Sequence, residues 1–199
     1  MVAKIQAHDN SCGAASLLCA ALELEIELIP QDPHYSLWID ETPLLNDDEC
    51  ETRIYQVTSD NPWGDDADAN GWGYSLPSGI VRCATMLGLN ARVIVYSTWS
   101  VRLLRWQYPL EITRLRNLNA LEERGGSRSD LMPAQNEREI KVLVNRPGCN
   151  IRDLQLHYVM VRPNNQVMEP SQGINLLNNV VTKHRLNMHG TGISVLVSI

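Results

Sequence analysis

Apolar periodicity comes and goes along this chain, and where it appears it names the element. From Cys12 to Leu24, the positions Ala14, Leu18, Ala21 and Leu22 recur at helical spacing, and Asn10-Ser11 stands where a helix cap is needed. A second helix is predicted from about Leu76 to Leu87. Pro77 falls in its first turn, Ile80, Cys83, Ala84 and Leu87 share a face, and Gly88 supplies the stop. Ala91 to Ser97 reads as a strand. Segments rich in Val and Ile follow at Ile140 to Val144, His157 to Val161, Gln166 to Met168 and Ile193 to Ile199, the middle two flanking Pro163-Asn164-Asn165 as arms of a hairpin. Helices first and antiparallel strands second predict an α+β domain.

Three stretches lack this order. The segment of about 32–73 holds Pro33, Pro43 and Pro62 and three tryptophans, Trp38, Trp63 and Trp72. It reads as an irregular insertion wrapping the body of a single domain that spans 1–199. Trp99 to Leu121 is mixed. The stretch of about 122–139 is polar and carries Gly125-Gly126, so it reads as a mobile loop unable to contribute to a core.

Composition narrows the function classes. A chain of 199 residues, 44% hydrophobic and 20% charged, is long enough to bury a core without disulfides or metals. Its longest unbroken apolar run, Leu17 to Leu22, is too short for a membrane span, and Gln6, His8 and Asp9 precede any apolar stretch, as no cleavable signal peptide would have it. The net charge of −6 argues against nucleic acid as a partner. The net negative charge is concentrated between Asp32 and Asn70, where eleven carboxylates face the single Arg53. Within it, Asp66-Ala-Asp68-Ala-Asn70-Gly71 imitates the start of a calcium loop, but Pro77 stands where the bidentate Glu belongs, so a solvated acidic loop is expected and no metal. Trp72-Gly73-Tyr74 either lines a substrate cleft or anchors the insertion. Five cysteines without a CxxC pair argue for reduced thiols. Cys19, Cys50, Cys83 and Cys149 read as core or surface thiols, and His8, His34, His184 and His189 lack a paired acid at useful spacing.

Cys12 is different because it opens a helix. Unsatisfied backbone N–H groups and the helix dipole there favour thiolate over thiol. Gly13 beside it is expected to keep the approach to the sulfur open. Gln6 can turn its side-chain amide toward the sulfur and, with the Cys12 N–H, form an oxyanion hole. The general base such a nucleophile needs is found in Leu156-His157-Tyr158-Val159, and Glu169, at the end of the next strand, can accept the other imidazole N–H.

These residues resemble those of the papain-like cysteine peptidases, especially compact bacterial branches such as the leader-processing peptidase domains of bacteriocin exporters. The family's Gln, five residues, then Cys-Gly at a helix start falls on Gln6, Cys12 and Gly13, and its later His-aromatic-Val strand on His157-Tyr158-Val159. Its third member, usually Asp or Asn before Pro, corresponds to Glu169 before Pro170. Strand alternation sets a condition on that member. A two-residue Asn164-Asn165 loop puts His157 and Glu169 on opposite faces, and a three-residue loop puts them on one; in the first case Asn164, Asn165 or no residue orients the histidine.

The resemblance implies an N-terminal nucleophile helix packed on a C-terminal antiparallel sheet. It implies hydrolysis of a peptide or isopeptide bond through a Cys12 thioester, without metal or organic cofactor. The substrate is a protein or peptide. By analogy the chain is a bacterial effector or toxin, cytoplasmic in the producing cell or secreted without a cleavable signal peptide, with no prosegment ahead of Gln6 and with an inhibitor or immunity protein as a possible partner. A glutamine deamidase or transglutaminase using the same Cys-His-acid set is the alternative, and an inactive binding module on the same fold is a third.

Overall fold

In the computed structural model, which describes residues 1–126, 131–145, 155–177 and 188–199, the elements follow in the order α1 (Cys12–Glu23), β1 (Leu28–Ile29), β2 (Thr42–Pro43), α2 (Asp48–Thr58), a 3₁₀ turn (Asp66–Gly71) and α3 (Pro77–Met86). Then come β3 (Asn90–Tyr96), α4 (Trp99–Gln107), α5 (Glu111–Asn117), β4 (Leu121–Arg124), β5 (Glu137–Asn145), β6 (Leu156–Val161), β7 (Gln166–Glu169), β8 (Ile174–Leu177) and β9 (Met188–Ser198). None of the described helices is long and apolar enough to cross a membrane. The class is α+β.

Seven strands form one sheet in the order β4-β3-β9-β5-β6-β7-β8, all neighbours antiparallel except β3 and β4. Helix α1 packs on β5 and β6 of this sheet and is flanked by α2 and α3. Its residues from Cys12 to Ala21 are all buried, so it is not the one-faced amphipathic helix that the spacing of Ala14, Leu18 and Leu22 suggests. Its small residues, Gly13, Ala14, Ala15, Ser16, Ala20 and Ala21, let neighbours approach from several sides. The main core joins Leu17 and Leu18 of α1 to Ile54, Ile80, Val93, Ile140, Tyr158 and Met160, and a smaller cluster of Leu143, Val159, Val161 and Val167 forms separately.

Two helix ends show how local chemistry sets the boundaries. Gly88 takes φ +82°, and the bonds Gly88 N–H to Thr85 O and Leu89 N–H to Ala84 O close α3 as a Schellman motif. Ser11 does occupy the N-cap of α1, but its side chain does not cap the helix as expected. Its hydroxyl donates instead to a buried carboxylate described below.

The segment of about 32–73 is not irregular throughout, since α2 lies inside it. Asp47 caps that helix by accepting the Cys50 N–H at 2.8 Å, acidic residues fill its first turn, and Cys50, Ile54 and Val57 bury at i, i+4 and i+7. High acidity hid an ordinary helix signature. Trp38 and Trp72 are buried anchors, as one reading of the insertion expects, whereas Trp63 is exposed.

The stretch of about 122–139 also contributes to the sheet, against expectation. Leu121–Arg124 pairs in parallel with β3, and β5 begins at Glu137, with Glu139 buried. Pairing to an existing strand overrides the weak strand propensity of Glu-Glu-Arg, and charge suits an edge strand. The remainder, 127–130, lies outside the described residues, as do Cys149 and His184. Residues 99–121 resolve into α4 and α5, and β8 adds an outer strand not expected from the sequence.

Candidate active site

The hairpin of β6 and β7 decides the first geometric question. Met160 pairs with Met168 and Val161 with Val167. Arg162 N–H donates to Gln166 O at 2.9 Å, and Asn165, at φ +61°, donates its N–H to Arg162 O at 2.9 Å. The loop is therefore the three residues Pro163-Asn164-Asn165, and the odd-numbered residues of both strands share a face. That places His157 and Glu169 together, with Nε2 of the imidazole 2.8 Å from Glu169 Oε1.

Glu169 is held from all sides. Its Oε1 also accepts the Ser171 N–H at 2.8 Å, and its Oε2 accepts the Ser171 hydroxyl at 2.8 Å and the Gln172 N–H at 3.1 Å. Burial works against its charge, but hydrogen bonds from His157 and Ser171 prevail and hold the carboxyl below its ordinary value. The longer Glu fits where the papain-like pattern usually has Asp or Asn because the turn after Pro170 folds back to fix it.

His157 in turn is close enough to Cys12 for the sulfur to raise its pKa. Because Nε2 is committed to Glu169, Nδ1 is the nitrogen left for the sulfur. Burial disfavours the imidazolium, yet Cys12 and Glu169 outweigh it and raise its pKa from 6.5 to about 9. Cys12 itself is buried, at the first position of α1. Burial pushes the Cys19 thiol up to about 12 and the Cys50 thiol up to about 11, and raises Cys83 as well.

A second set of residues fixes the chain ahead of Cys12, and of it only Ser11 was singled out in the sequence. Glu51, fully buried on α2, accepts the Ala7 N–H at 2.8 Å and the Ser11 hydroxyl at 2.5 Å, while Lys4 Nζ lies 3.2 Å from its other oxygen and also pairs with Asp48. His8 bonds to Thr52 Oγ1 at 2.8 Å and stacks on Tyr55. The lead from Lys4 to Ser11 is thus laid along α2, and the start of α1 with it. Burial pushes the Glu51 carboxyl up despite the Ser11, Ala7 and Lys4 contacts that pull it down. The cap at Asp47 and the spacing of Cys50, Ile54 and Val57 were the available signals for this helix.

Tyr55 donates to the carbonyls of Trp72 and Gly73 at 2.9 and 2.8 Å, and Tyr158 donates to Ser75 O at 2.6 Å. Two tyrosines from different elements thereby fix residues 72–75. Burial raises the phenols of Tyr55, Tyr74 and Tyr158, and the negative charge of a Cys12 thiolate raises them further. Trp72 is buried, as the anchoring reading of this motif expects, and Tyr74 is half-buried.

Gly13 has another role than the expected one. A Cβ there would meet Ser75 Cβ at 2.5 Å, so glycine is required for the close seating of residues 72–75 on α1 rather than for access to the sulfur. Beyond Ser75 a narrow apolar cleft runs between the sheet and α4–α5, lined among others by Leu76, Leu104, Tyr108, Leu156 and Tyr158.

Gln6 departs from expectation. Its Nε2 donates to the carbonyls of His8 and Asp9 at 2.8 and 3.0 Å, and its Oε1 is buried without a hydrogen-bond partner. Two carbonyls so placed select the amide nitrogen, so the side chain steadies the turn before α1 and is not turned toward the sulfur. His34, expected to lack an acid, bonds to Asp32 at 2.9 Å, though as an exposed surface pair. Residues 66–71 form the 3₁₀ turn, with Asp65 capping it at the Ala67 N–H.

Nucleophile from the start of a helix and imidazole from a sheet is the division of labour of the papain-like cysteine peptidases, and this fold is of that class. Comparison with known proteins gives the branch. The family model described as "Invasion plasmid antigen J, cysteine protease" matches residues 4–199, and the chain belongs to that family. Among curated proteins, Cysteine protease IpaJ of Shigella flexneri is 36% identical over 183 residues, covering 87% of this chain. The chain spans 66% of the length of that relative. No solved structure matches the chain.

Proposed function

We propose that this domain hydrolyses a peptide bond in a protein substrate through a Cys12 thioester. The observation that carries the reading is His157 held between Cys12 and Glu169. The Cys12 thiolate attacks the scissile carbonyl, and its charge is supported by the imidazolium and the helix N-terminus. The backbone N–H of Cys12, among the first in α1 and without an intrahelical acceptor, faces the developing oxyanion. Gln6 supplies a second donor once its amide leaves the His8 and Asp9 carbonyls. His157 passes its proton to the leaving amine and then draws one from the water that hydrolyses the thioester, while Glu169 keeps the ring oriented. The apolar cleft beyond Ser75 favours apolar substrate groups near the scissile bond.

The family description, an invasion plasmid antigen, supports an effector that acts in another cell, for which a dedicated inhibitor or immunity protein is the expected partner. The domain is proposed as one unit over 1–199, with the α2 segment an integral part of it.

The test has two arms. Peptide mapping of alkylation from about pH 4 to 9 should show Cys12 reacting far faster than Cys19, Cys50 and Cys83, an advantage that His157→Ala removes. Incubation with a protein mixture should then create new N-termini that Cys12→Ala does not. If the wild type instead adds about one mass unit to glutamines without cleavage, the site is a deamidase and the peptidase reading falls.

A further inference from the structure

Helix α4 turns toward water the side chains that surface helices usually hide. Val101 and Leu104 bury one face of it. On the opposite face Trp99, Leu103 and Trp106 form a stripe at i, i+4 and i+7. Trp99 is 63% exposed, Trp106 73%, and Leu110, in the turn that follows, 66%. Among the described residues nothing covers Trp99, Trp106 or Leu110, and a contiguous apolar patch of this kind marks an interaction site.

Charge selects the occupant. Residues 99–118 carry Arg102, Arg105, Arg114 and Arg116 against the single Glu111, in a chain whose net charge is −6. Arg105 and Arg116 share Glu123, and Arg114 reaches Asp60. Arg102, on the edge of the exposed stripe, makes no ion pair among the described residues. The surface pairs indoles with guanidinium groups, the combination suited to the headgroup layer of an anionic bilayer.

We propose that the outer face of α4 docks this domain on anionic membrane surfaces. The rings of Trp99 and Trp106, with Leu103 and Leu110, enter the interfacial layer, and Arg102 meets lipid phosphates. The helix lies in the plane of the surface and does not cross it. Docking involves none of the residues around Cys12, so it stands or falls apart from the peptidase reading.

Flotation with phosphatidylcholine vesicles containing about 30% phosphatidylserine tests it, beside vesicles of phosphatidylcholine alone. The wild type should bind the anionic vesicles at least about tenfold better than the neutral ones, with a blue shift of tryptophan emission. A Trp99→Ala, Trp106→Ala double variant should lose about tenfold or more in partitioning, and Arg102→Gln about fivefold, the latter only on anionic vesicles. Circular dichroism and the Cys12 alkylation rate, unchanged in the variants, show that the fold is intact. The proposal is overturned if the wild type stays unbound up to roughly 1 mM lipid, or if the double variant binds as well as the wild type. It is equally overturned if sedimentation shows a concentration-dependent dimer that the same double variant abolishes, since the patch would then be the seat of a second copy.

Discussion

The two halves of the candidate site are held by different means. The imidazole half is local: His157 and Glu169 are twelve residues apart on one hairpin, and Ser171 and Gln172, which fix Glu169, follow immediately. The nucleophile half is long-range: Cys12 stands where it does because Lys4, Ala7, His8 and Ser11 are fastened to Glu51, Thr52 and Asp48 some forty residues later. A local device depends on register, and a long-range one on the docking of an entire helix. Damage to the first should therefore spare stability and remove activity, whereas damage to the second should cost both.

Deletion of Asn165 is the most severe test of the local half. An even-length loop turns His157 and Glu169 to opposite faces, so peptide hydrolysis should fall by at least about 10³-fold, while the sheet re-pairs with a modest change in Tm. Retention of activity would mean that Glu169 is dispensable and the register argument wrong.

Glu169→Gln should lower kcat by at least about tenfold, bounded near 10⁴-fold by comparable triads. Its pH profile is more telling than its size. His157 is raised to about 9 in the folded chain, so the wild-type alkaline limb of kcat/KM should lie near pH 9, where the proton for the leaving amine is lost. The sign for stability is the same. The contribution of charged His157 is complete below about pH 6.5 and disappears as pH rises through about 9. That of Glu169, whose pKa is depressed, is present above its ordinary value and disappears only as pH falls through the lowered one. Removing the carboxylate should move the alkaline limb to lower pH, and an unmoved limb would exclude the ion pair as its source.

Glu51→Ala probes the other half. It strands the half-buried Ala7 N–H and takes one partner from the Ser11 hydroxyl and one from Lys4, and should cost about 1–3 kcal/mol in denaturant unfolding together with slower Cys12 alkylation. Loss of stability with alkylation unchanged would make Glu51 a packing residue only. Gly13→Ala is a change of similar size: its Cβ must displace Ser75, which should cost about 1–3 kcal/mol and disturb the wall formed by residues 72–75.

How much of this was legible follows from range. The start of α1 at Cys12, the end of α3 at Gly88 and the strands about Val142, Val159 and Val195 are written in spacing and turn chemistry, which act over a few residues. The helix α2 was legible too, in Asp47 and in the spacing of Cys50, Ile54 and Val57, but its acidic composition drew attention to the surface. Leu121–Arg124 was not legible, because a Glu-Glu-Arg segment becomes a strand only when β3 offers its edge.

For the site, the sequence by itself determined which groups could react: a cysteine at a helix start, a histidine opening a strand, and an acid on the next one. These are matters of residue type and short spacing. Tertiary structure alone decided that the Pro163-Asn164-Asn165 loop has odd length, that the Gln6 amide faces two carbonyls rather than the sulfur, and that Glu51 carries the nucleophile's lead. The reason is that a buried polar group takes whatever partner the packing brings to it, and packing is a property of the whole chain.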